Sequence, residues 1–459
     1  MANEREQKAM GFGFLAPTVV IAVSTLAAEK FIPACSFSIA IIFTGIVASI
    51  FYLLTKSFTD RSMVFLSIAG ISDKGIFVNG LSWTSFDILS ICIILEGVCL
   101  LTLSKVSRKH KKNAALVWLS ILFCLLCVLS VVFSPLEGPA ITPTLRELIR
   151  VGSMICVGLN VRTEISCIRL QKAVALQMII YVVAILAEYL SGQTSSLMAG
   201  DRLETGNVLS FIMLIGAPLL PAFGLFRAKL AALPFWICAF SVICLTMSRT
   251  AFILVALDLI LLIYLYATWK RRNTHSMIGI LLLVLPLCLI MMWTIYSNYI
   301  TQREAHSDLE RIAALQGAID GALAYPLHGI GFAGWIRLYE LNTGSNINTV
   351  YSLGFDRVIS MNPHNAYARV ALDLGIPGLC VYCCIMGSLI VTANRLRTRS
   401  DATGSMVGVH AGLFISVVNL LVSSLFIDTV ESPQMWCLVV LCIGGANLMA
   451  LSRTVTIKR

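Results

Sequence analysis

The stretch "NPHNAYARVALDLGIPGL", residues 362–379, places a histidine, an arginine and an aspartate at the edge of an apolar run. Asn362 before Pro363 is typical of a helix start, because asparagine caps N-termini and proline suits the first helical position. We therefore expect His364 in the first turn, where free backbone N–H groups favour a bound anion and the helix dipole disfavours imidazolium. A neutral His364 could accept a proton.

The second half of this stretch predicts a break in the helix. Gly375 is conformationally permissive and Pro377 removes a backbone donor, so about three turns of helix precede the next apolar run. Arg369 and Asp373 are four residues apart and can pair along that short helix. A capped interfacial helix with a structural histidine explains these residues equally well, so the wider chain has to decide.

The elements that position these residues are those of a membrane protein. Of 459 residues, 58% are hydrophobic and 13% are charged, against roughly a quarter charged in soluble domains. We count twelve or thirteen apolar runs near the length of about 20 residues that spans a bilayer. The sequence therefore predicts an all-α polytopic protein, organised as a single membrane domain over residues 1–459.

Positive charge orients these spans. Lys and Arg concentrate in alternate short loops, such as residues 105–113 and 395–400, and such loops face the cytoplasm. The extracytoplasmic side then receives five segments, while the side of the N-terminus stays open. These segments are 135–142, 191–206, the turn at Ser248, about 297–375 and 428–433.

The segment 297–375 is the one long hydrophilic insertion in the sequence, and long ordered loops are usually functional. Within it, residues 307–326 read as an amphipathic helix that lies on the outer membrane surface or against the helix bundle. Its apolar stripe at helical spacing is Ile312, Leu315, Ile319 and Leu323. "GIGFAG" (329–334) has the glycines of a dinucleotide fingerprint but no preceding strand, so we predict a tight turn instead.

Metal and nucleic-acid functions are not supported by the sequence. The fifteen cysteines include several within apolar spans, and no loop has the Cys and His spacing of a metal site. The net charge of +10 is spread over short loops, whereas nucleic-acid binding needs a basic patch. We expect neither a cofactor nor a nucleic-acid partner.

Several arginines map to the same side as His364. Arg202, Arg249 and Arg311 lie on the predicted extracytoplasmic face, and Arg146 and Arg150 lie in the outer part of a span. An arginine at the bilayer edge costs up to roughly 2.5–3.5 kcal/mol, and arginine commonly binds phosphate through two N–H groups. The set indicates a polyanionic ligand, although snorkelling to lipid headgroups explains isolated arginines well.

Three sequence blocks resemble the O-antigen ligase and polysaccharide polymerase superfamily. They are "MSRTA" opening a span; Arg311 followed by an amphipathic stretch and "YPLHGIGFAGW" (325–335); and "NPHNAYARVALDLGIPGL" leading into the next span. "GDRLETGN", which contains Arg202, is a weaker fourth block. We take residues 200–395 as the motif region and 297–375 as its extracytoplasmic catalytic loop.

The resemblance implies a multi-pass glycosyltransferase of the GT-C type in the cytoplasmic (inner) membrane, with its active site on the extracytoplasmic face. Such enzymes take a glycan from an undecaprenyl-diphosphate-linked donor, without a nucleotide sugar and without an obligatory metal. The acceptor is lipid A core sugar for a ligase, or a second lipid-linked glycan for a polymerase of O-antigen or exopolysaccharide. The sequence does not separate these alternatives.

Residue roles also follow from the resemblance. His364 resembles the proposed catalytic base, and Arg202 and Arg311 resemble arginines that hold the donor diphosphate. Arg249 resembles a further motif arginine with a structural or diphosphate-binding role, and Asp428 resembles an acidic residue of the last outer loop. We add four predicted substrate contacts, which are Arg146, Arg150, Asn365 and Arg369. Leu315 departs from the family, which often has an aromatic residue four positions after the arginine.

The competing interpretation is a polysaccharide-lipid flippase or other secondary transporter. Glu96 and Asp258 fall near the middle of their spans, where acidic groups are functional candidates in ion-coupled carriers. No inverted repeat is evident in the sequence, and the polar chemistry lies on one face rather than at the midplane. The enzyme interpretation is favoured, with Glu96 and Asp258 as interhelical hydrogen-bonding groups or as lining of a lipid cavity.

Overall fold

A computed structural model describes part of the chain, and that part is mainly helical. The described residues are 55, 57–68, 76–78, 81–83, 85–103, 114–136, 141–190, 215–216, 218–219, 306–335, 338, 363–398, 404–430 and 432–456. Three helices among them are long and apolar enough to cross a membrane, at Ala115–Val132, Ala366–Arg397 and Pro433–Ala450. A helical membrane protein is thus supported, whereas the predicted total of twelve or thirteen spans extends beyond the described residues.

Seven of the nine described helices overlap apolar runs counted in the sequence, and the first and the sixth do not. In chain order they are α1 (Phe58–Ile68), α2 (Ser85–Leu103), α3 (Ala114–Val132), α4 (Ile141–Leu159), α5 (Glu164–Leu190), α6 (His306–Ala324), α7 (Ala366–Arg397), α8 (Gly404–Ser423) and α9 (Pro433–Thr456). Helix α1 has 11 residues, or about 16 Å at 1.5 Å per residue, which is too short to span a bilayer.

One element departs from the all-α prediction. Strands β1 (Ile76–Val78) and β2 (Leu81–Trp83) pair antiparallel, with Val78 opposite Leu81. The residues between them are Asn79 and Gly80, the dipeptide most typical of a two-residue hairpin connection. The sequence therefore held a local signal for this hairpin, which apolar periodicity on the scale of a membrane span does not detect.

The contacts divide the chain into two compact units. The first contains α1, α2, α4, α9, the hairpin, α3 as far as Cys124 and α5 as far as Ile180. Its interior packs α4 against α2 and α9, where small residues allow close approach: a Cβ at Gly97 would lie 2.9 Å from the Cβ of Cys156. The indole Nε1 of buried Trp436 in α9 donates a hydrogen bond to Glu147 of α4 at 2.5 Å.

The second unit contains α6, α7, α8, the end of α3 from Leu125 onward and the end of α5 from Tyr181 onward. Helix α7 is its centre, because both α6 and α8 pack against it. A small apolar core forms where α6 and α7 meet the segments that follow α3 and α6. Its buried residues are Leu136, Ala318, Ile330, Leu338 and Leu372. All the described residues discussed below around His364 belong to this second unit.

Candidate functional site

The break in helix α7 is present as the sequence predicts. Gly375 has a non-helical backbone (φ 70°, ψ −170°), and Pro377 follows within the same helix. The backbone groups released there bond to residues 325–335, which we call the 325–335 loop. The Leu372 carbonyl accepts from Ile330 N (2.9 Å), the Asp373 carbonyl accepts from Gly331 N (3.0 Å), and Ile376 N donates to the Pro326 carbonyl (2.8 Å).

Glycine is required on both sides of this contact. A Cβ at Gly329 (φ 66°) would lie 2.4 Å from the carbonyl carbon of Asp373, and one at Gly375 would lie 2.6 Å from the Pro326 oxygen. Any other residue would collide with backbone and adopt an unfavourable left-handed conformation. The prediction that "GIGFAG" forms a tight turn is confirmed, with φ also positive at Gly331 and Ala333.

Three segments predicted for the extracytoplasmic side come together here. Ser134, just after α3, donates through its Oγ to the Ile330 carbonyl at 2.5 Å, so the end of α3 contacts the 325–335 loop. At the start of α7, Ala366 N donates to the Ser424 carbonyl at 2.9 Å. The segments after α3 and α8 and before α7 therefore lie at one end of this unit, and the side of the membrane that this end faces stays a prediction.

The predicted helix start is wrong by three residues. The N-cap is Asn365, whose side chain accepts from Ala368 N, and helix α7 begins at Ala366. The Asn365 amide also donates through Nδ2 to the Leu425 carbonyl at 3.0 Å. A long-range partner thus favours this asparagine over Asn362, although both fit the local capping rule.

His364 consequently lies before the helix and not in its first turn. It adopts a left-handed backbone (φ 49°), which histidine tolerates better than most residues and which is worth attention at a candidate functional site. The N–H groups of Ala366 and Ala368 already have protein acceptors. The helix N-terminus is therefore a weaker anion site than the sequence predicts.

The surroundings of His364 keep its imidazole neutral. Partial burial lowers the pKa of His364 below its ordinary value of 6.5, the positive charge of Arg311 lowers it further, and the Asp428 carboxylate acts in the opposite direction. A neutral imidazole is the form a general base needs, because it can take up a proton. The prediction of a neutral His364 is supported, but by burial and Arg311 more than by the helix dipole.

Arg311 is presented by helix α6. The helix begins at His306 and ends at Ala324, which matches the predicted amphipathic helix within a few residues. Arg311 is partly exposed near the N-terminal end of this helix, which packs against α7. The electrostatic influence of Arg311 on His364 shows that the two predicted site residues lie near each other, although 53 positions separate them.

Arg369 and Asp428 belong to a buried ion-pair cluster. The Arg369 side chain is 3% exposed, and its Nε lies 3.3 Å from the Asp373 carboxylate, as the i, i+4 spacing predicts. The NH1 group of the same guanidinium pairs with the Asp428 carboxylate. Asp373 also accepts from the backbone N–H of Ala333 at 3.0 Å. The Arg369 guanidinium lies 5.5 Å from the ring centroid of Trp335. These contacts join α7, the 325–335 loop and the segment after α8.

The contributions of Asp373 and Trp335 to this cluster were not predicted as part of the site. Asp373 was expected only to pair with Arg369, and Trp335 was expected only as the end of a motif block. The one available signal was the spacing of Arg369 and Asp373. The partner Asp428 is 59 residues away from Arg369 in the sequence, so no local pattern identifies it.

The other predicted arginines lie elsewhere. Arg146 and Arg150, both in α4 of the first unit, share the buried Asp87 of α2, with N–O distances of 3.0 and 3.3 Å. Their guanidinium groups thus have a protein carboxylate as partner, and a role in substrate binding stays a prediction. Arg202 and Arg249 lie outside the described residues.

Glu96, one of two acids behind the transporter interpretation, is paired. Arg61 of α1 donates to both carboxylate oxygens of Glu96 in α2, through Nε at 2.7 Å and through NH2, and through NH1 to the Thr55 carbonyl at 2.9 Å. The expectation that Glu96 makes interhelical hydrogen bonds is confirmed. Asp258 lies outside the described residues, among which no three His, Cys, Asp or Glu side chains group as metal ligands.

The fold and the site define a helical membrane protein with a neutral histidine beside an arginine. Residues 234–383 match the family model of O-antigen ligase, which confirms the resemblance to the O-antigen ligase-related superfamily. The matched segment includes Arg249, Arg311 and His364. A search of curated proteins finds no match.

The family match has consequences for activity. It indicates an O-antigen ligase- or polymerase-type activity, and at this general level a glycosyltransferase-like enzyme. It also implies lipid-linked sugar substrates and a membrane environment. These statements rest on the family match together with the helices long enough to span a membrane.

Proposed function

We propose that this protein is a GT-C-type glycosyltransferase of the cytoplasmic (inner) membrane that transfers a glycan from an undecaprenyl-diphosphate-linked donor to an acceptor hydroxyl. The observation that carries the proposal is the lowered pKa of His364, which is partly buried near Arg311. His364 lies at the end of the unit where three segments predicted to be extracytoplasmic meet. The predicted topology assigns this end to the extracytoplasmic face, and the family match supplies the class of chemistry.

The proposed reaction is a displacement at the anomeric carbon of the donor. The acceptor hydroxyl oxygen forms the new bond, its proton passes to a ring nitrogen of His364, and the bond to the diphosphate oxygen breaks. Undecaprenyl diphosphate leaves with the electron pair. Arg311 stabilises the negative charge that develops on the leaving group, as a preorganised cation does in a partly buried site. Arg202 and Arg249 add further positive charge in this proposal, on the strength of their motifs.

Three residues predicted as substrate contacts receive a different role here. Asn365 caps α7 and bonds to the segment after α8, and Arg369 and Asp428 pair with each other. Their polar groups are occupied by protein partners, so we propose that they position His364 rather than bind the glycan. For the same reason we propose that Arg146 and Arg150 hold α4 against α2 through Asp87.

The acceptor is either lipid A core sugar or a second lipid-linked glycan. Both reactions need the same general base and the same arginines to bind the donor diphosphate. The geometry around His364 is therefore compatible with a ligase of lipopolysaccharide synthesis and with a polymerase of O-antigen or exopolysaccharide. The two differ in what binds on the acceptor side.

The test is a reconstituted transfer assay with undecaprenyl-diphosphate oligosaccharide, offered with or without lipid A core. His364→Ala should abolish product formation. Arg311→Lys should reduce it, because the ammonium group of lysine cannot make the two parallel hydrogen bonds that a guanidinium makes to a phosphate. His328→Ala is the matched control, since His328 bonds through Nδ1 to the neighbouring Gly329 carbonyl, and it should retain activity.

The products distinguish the alternatives. Product on lipid A core identifies a ligase, and a longer lipid-linked glycan identifies a polymerase. Full activity of His364→Ala would overturn the assignment of the base. A donor that crosses the bilayer without being consumed would overturn the enzyme and favour the flippase.

A further inference from the structure

Helix α6 has two faces of different character. One is buried and made of small residues, which let the helix approach α7 closely: Ala314, Gly317, Ala318, Gly321 and Ala322. The opposite face is exposed and carries Ile312, Ile319 and Leu323, with the uncharged Gln316 between them. Leu323 is 69% exposed, so the predicted apolar stripe is directed away from the protein. Leu315 is the exception, because it is only partly exposed.

The exposed apolar surface continues beyond the helix. Leu327, three residues after the end of α6, is 77% exposed. We call Ile312, Ile319, Leu323 and Leu327 the α6 stripe. Four large aliphatic side chains on one surface are unusual where water is the neighbour, and the protein-packing role of this helix is already filled by its small-residue face.

The α6 stripe ends beside the candidate membrane span in α3. Only 28% of the span Ala115–Val132 is buried inside the protein, and Phe133 just after it is 61% exposed. The Phe133 ring lies 6.4 Å from the ring of His328, the neighbour of Leu327. Phe332 N also donates to the Oγ of Ser130 in α3 at 3.0 Å. These contacts bring the end of the stripe to the end of a membrane span.

We propose that the α6 stripe is a membrane-contact surface, inserted among the lipid acyl chains of the leaflet at the end of α3. An amphipathic helix of this kind lies along the interface with its apolar side chains a few ångströms below the headgroups. From Ile312 to Leu323 the stripe extends for about 16 Å at 1.5 Å per residue. Its neighbour Arg311 then lies near the level of the headgroup phosphates.

This inference does not depend on glycan transfer, because it concerns which molecule covers one face of a helix. It has a consequence for the site nonetheless. Since α6 packs on α7, a membrane-inserted stripe sets the depth at which Arg311 and His364 meet the head of a lipid-linked molecule.

The experiment places a photo-crosslinking residue on the full-length protein in vesicles of phosphatidylethanolamine and phosphatidylglycerol. Leu323→benzoylphenylalanine probes the stripe. Ala324→benzoylphenylalanine is the matched control, because Ala324 is also exposed but lies about 100° around the helix. We expect several-fold more lipid adduct from position 323 than from position 324.

Three results would overturn the proposal. Equal lipid adducts at both positions, or none at either, would mean that the stripe does not select lipid. A crosslinked dimer from position 323 would mean that a second copy of the chain covers it. Ile319→benzoylphenylalanine provides an independent stripe position and should behave like position 323 if lipid is the neighbour.

Discussion

Replacing Arg369 by glutamine removes the guanidinium that lies between Asp373 and Asp428. Arg369 is 3% exposed and pairs with both carboxylates, so its loss leaves two negative charges close together in a buried place. Breaking a buried pair in this way costs about 3–5 kcal/mol. Asp428→Asn should cost less, about 1.5–3 kcal/mol for a lost charge-assisted hydrogen bond, because the Arg369–Asp373 pair remains.

The double variant Arg369→Gln/Asp428→Asn completes the cycle. It removes the cation and one of the two carboxylates together, so its cost should fall short of the sum of the single variants by roughly 0.5–3 kcal/mol. The free energy of unfolding can be measured by titrating the purified protein from a mild detergent into a denaturing one, with tryptophan fluorescence as the signal.

Arg397 in the same helix is the matched control. It donates to the exposed Asn394 side chain at 2.9 Å, which contributes about 0–1 kcal/mol, and its guanidinium lies 4.8 Å from the ring centroid of Phe414, which contributes about 0.5–1 kcal/mol. If Arg369→Gln destabilises the protein no more than Arg397→Gln, the buried ion-pair cluster does not contribute the stability expected of it. Strict additivity of the Arg369 and Asp428 variants would equally remove the buried cluster as an explanation.

Two further predictions concern the base and the break in α7. Since neutral His364 is the active form, kcat/KM should fall as the pH drops through its pKa, which lies below 6.5. Arg311→Gln removes a charge that lowers this pKa, so the fall in kcat/KM at acid pH should move to higher pH. Asp428→Asn removes a charge that raises the pKa, so the same fall should move to lower pH. Identical pH profiles for the two variants would contradict this. Gly375→Ala should destabilise the protein by more than the roughly 1–3 kcal/mol of strain at a backbone conformation that is essentially limited to glycine, because its Cβ would meet the Pro326 oxygen at 2.6 Å. Gly387→Ala, where an added Cβ meets nothing within 4 Å, should be neutral or slightly stabilising in the same unfolding measurement.

Local rules predicted what depends on local geometry. The helix break follows from the backbone freedom of Gly375 and the missing donor of Pro377, and the Arg369–Asp373 pair follows from i, i+4 spacing. Both are present in the structure. Apolar runs of membrane length do not predict the hairpin, although Asn79-Gly80 signals it locally.

Features fixed by distant partners were predicted only in part. Two asparagines satisfy the capping rule, and the Leu425 carbonyl, which bonds Asn365, selects between them. The acid Glu96 was expected to bond another helix, but its partner Arg61 lies 35 residues earlier. The sequence does not predict whether the α6 stripe faces the protein or the membrane surface. Periodicity shows that the helix has an apolar face but not which neighbour covers that face.

The pairing of the 325–335 loop with the broken part of α7 also restricts how this chain can vary in length. The loop bonds to the carbonyls of Leu372 and Asp373 and to the amide of Ile376, while Asn365 holds the other end of the same short helix. One inserted or deleted residue between these two fixed points would turn everything beyond it by about 100°. Arg369 would lose its carboxylates, or the loop its acceptors. Residues 365–376 should therefore keep a constant length through evolution even where their side chains change, and any engineered insertion belongs elsewhere.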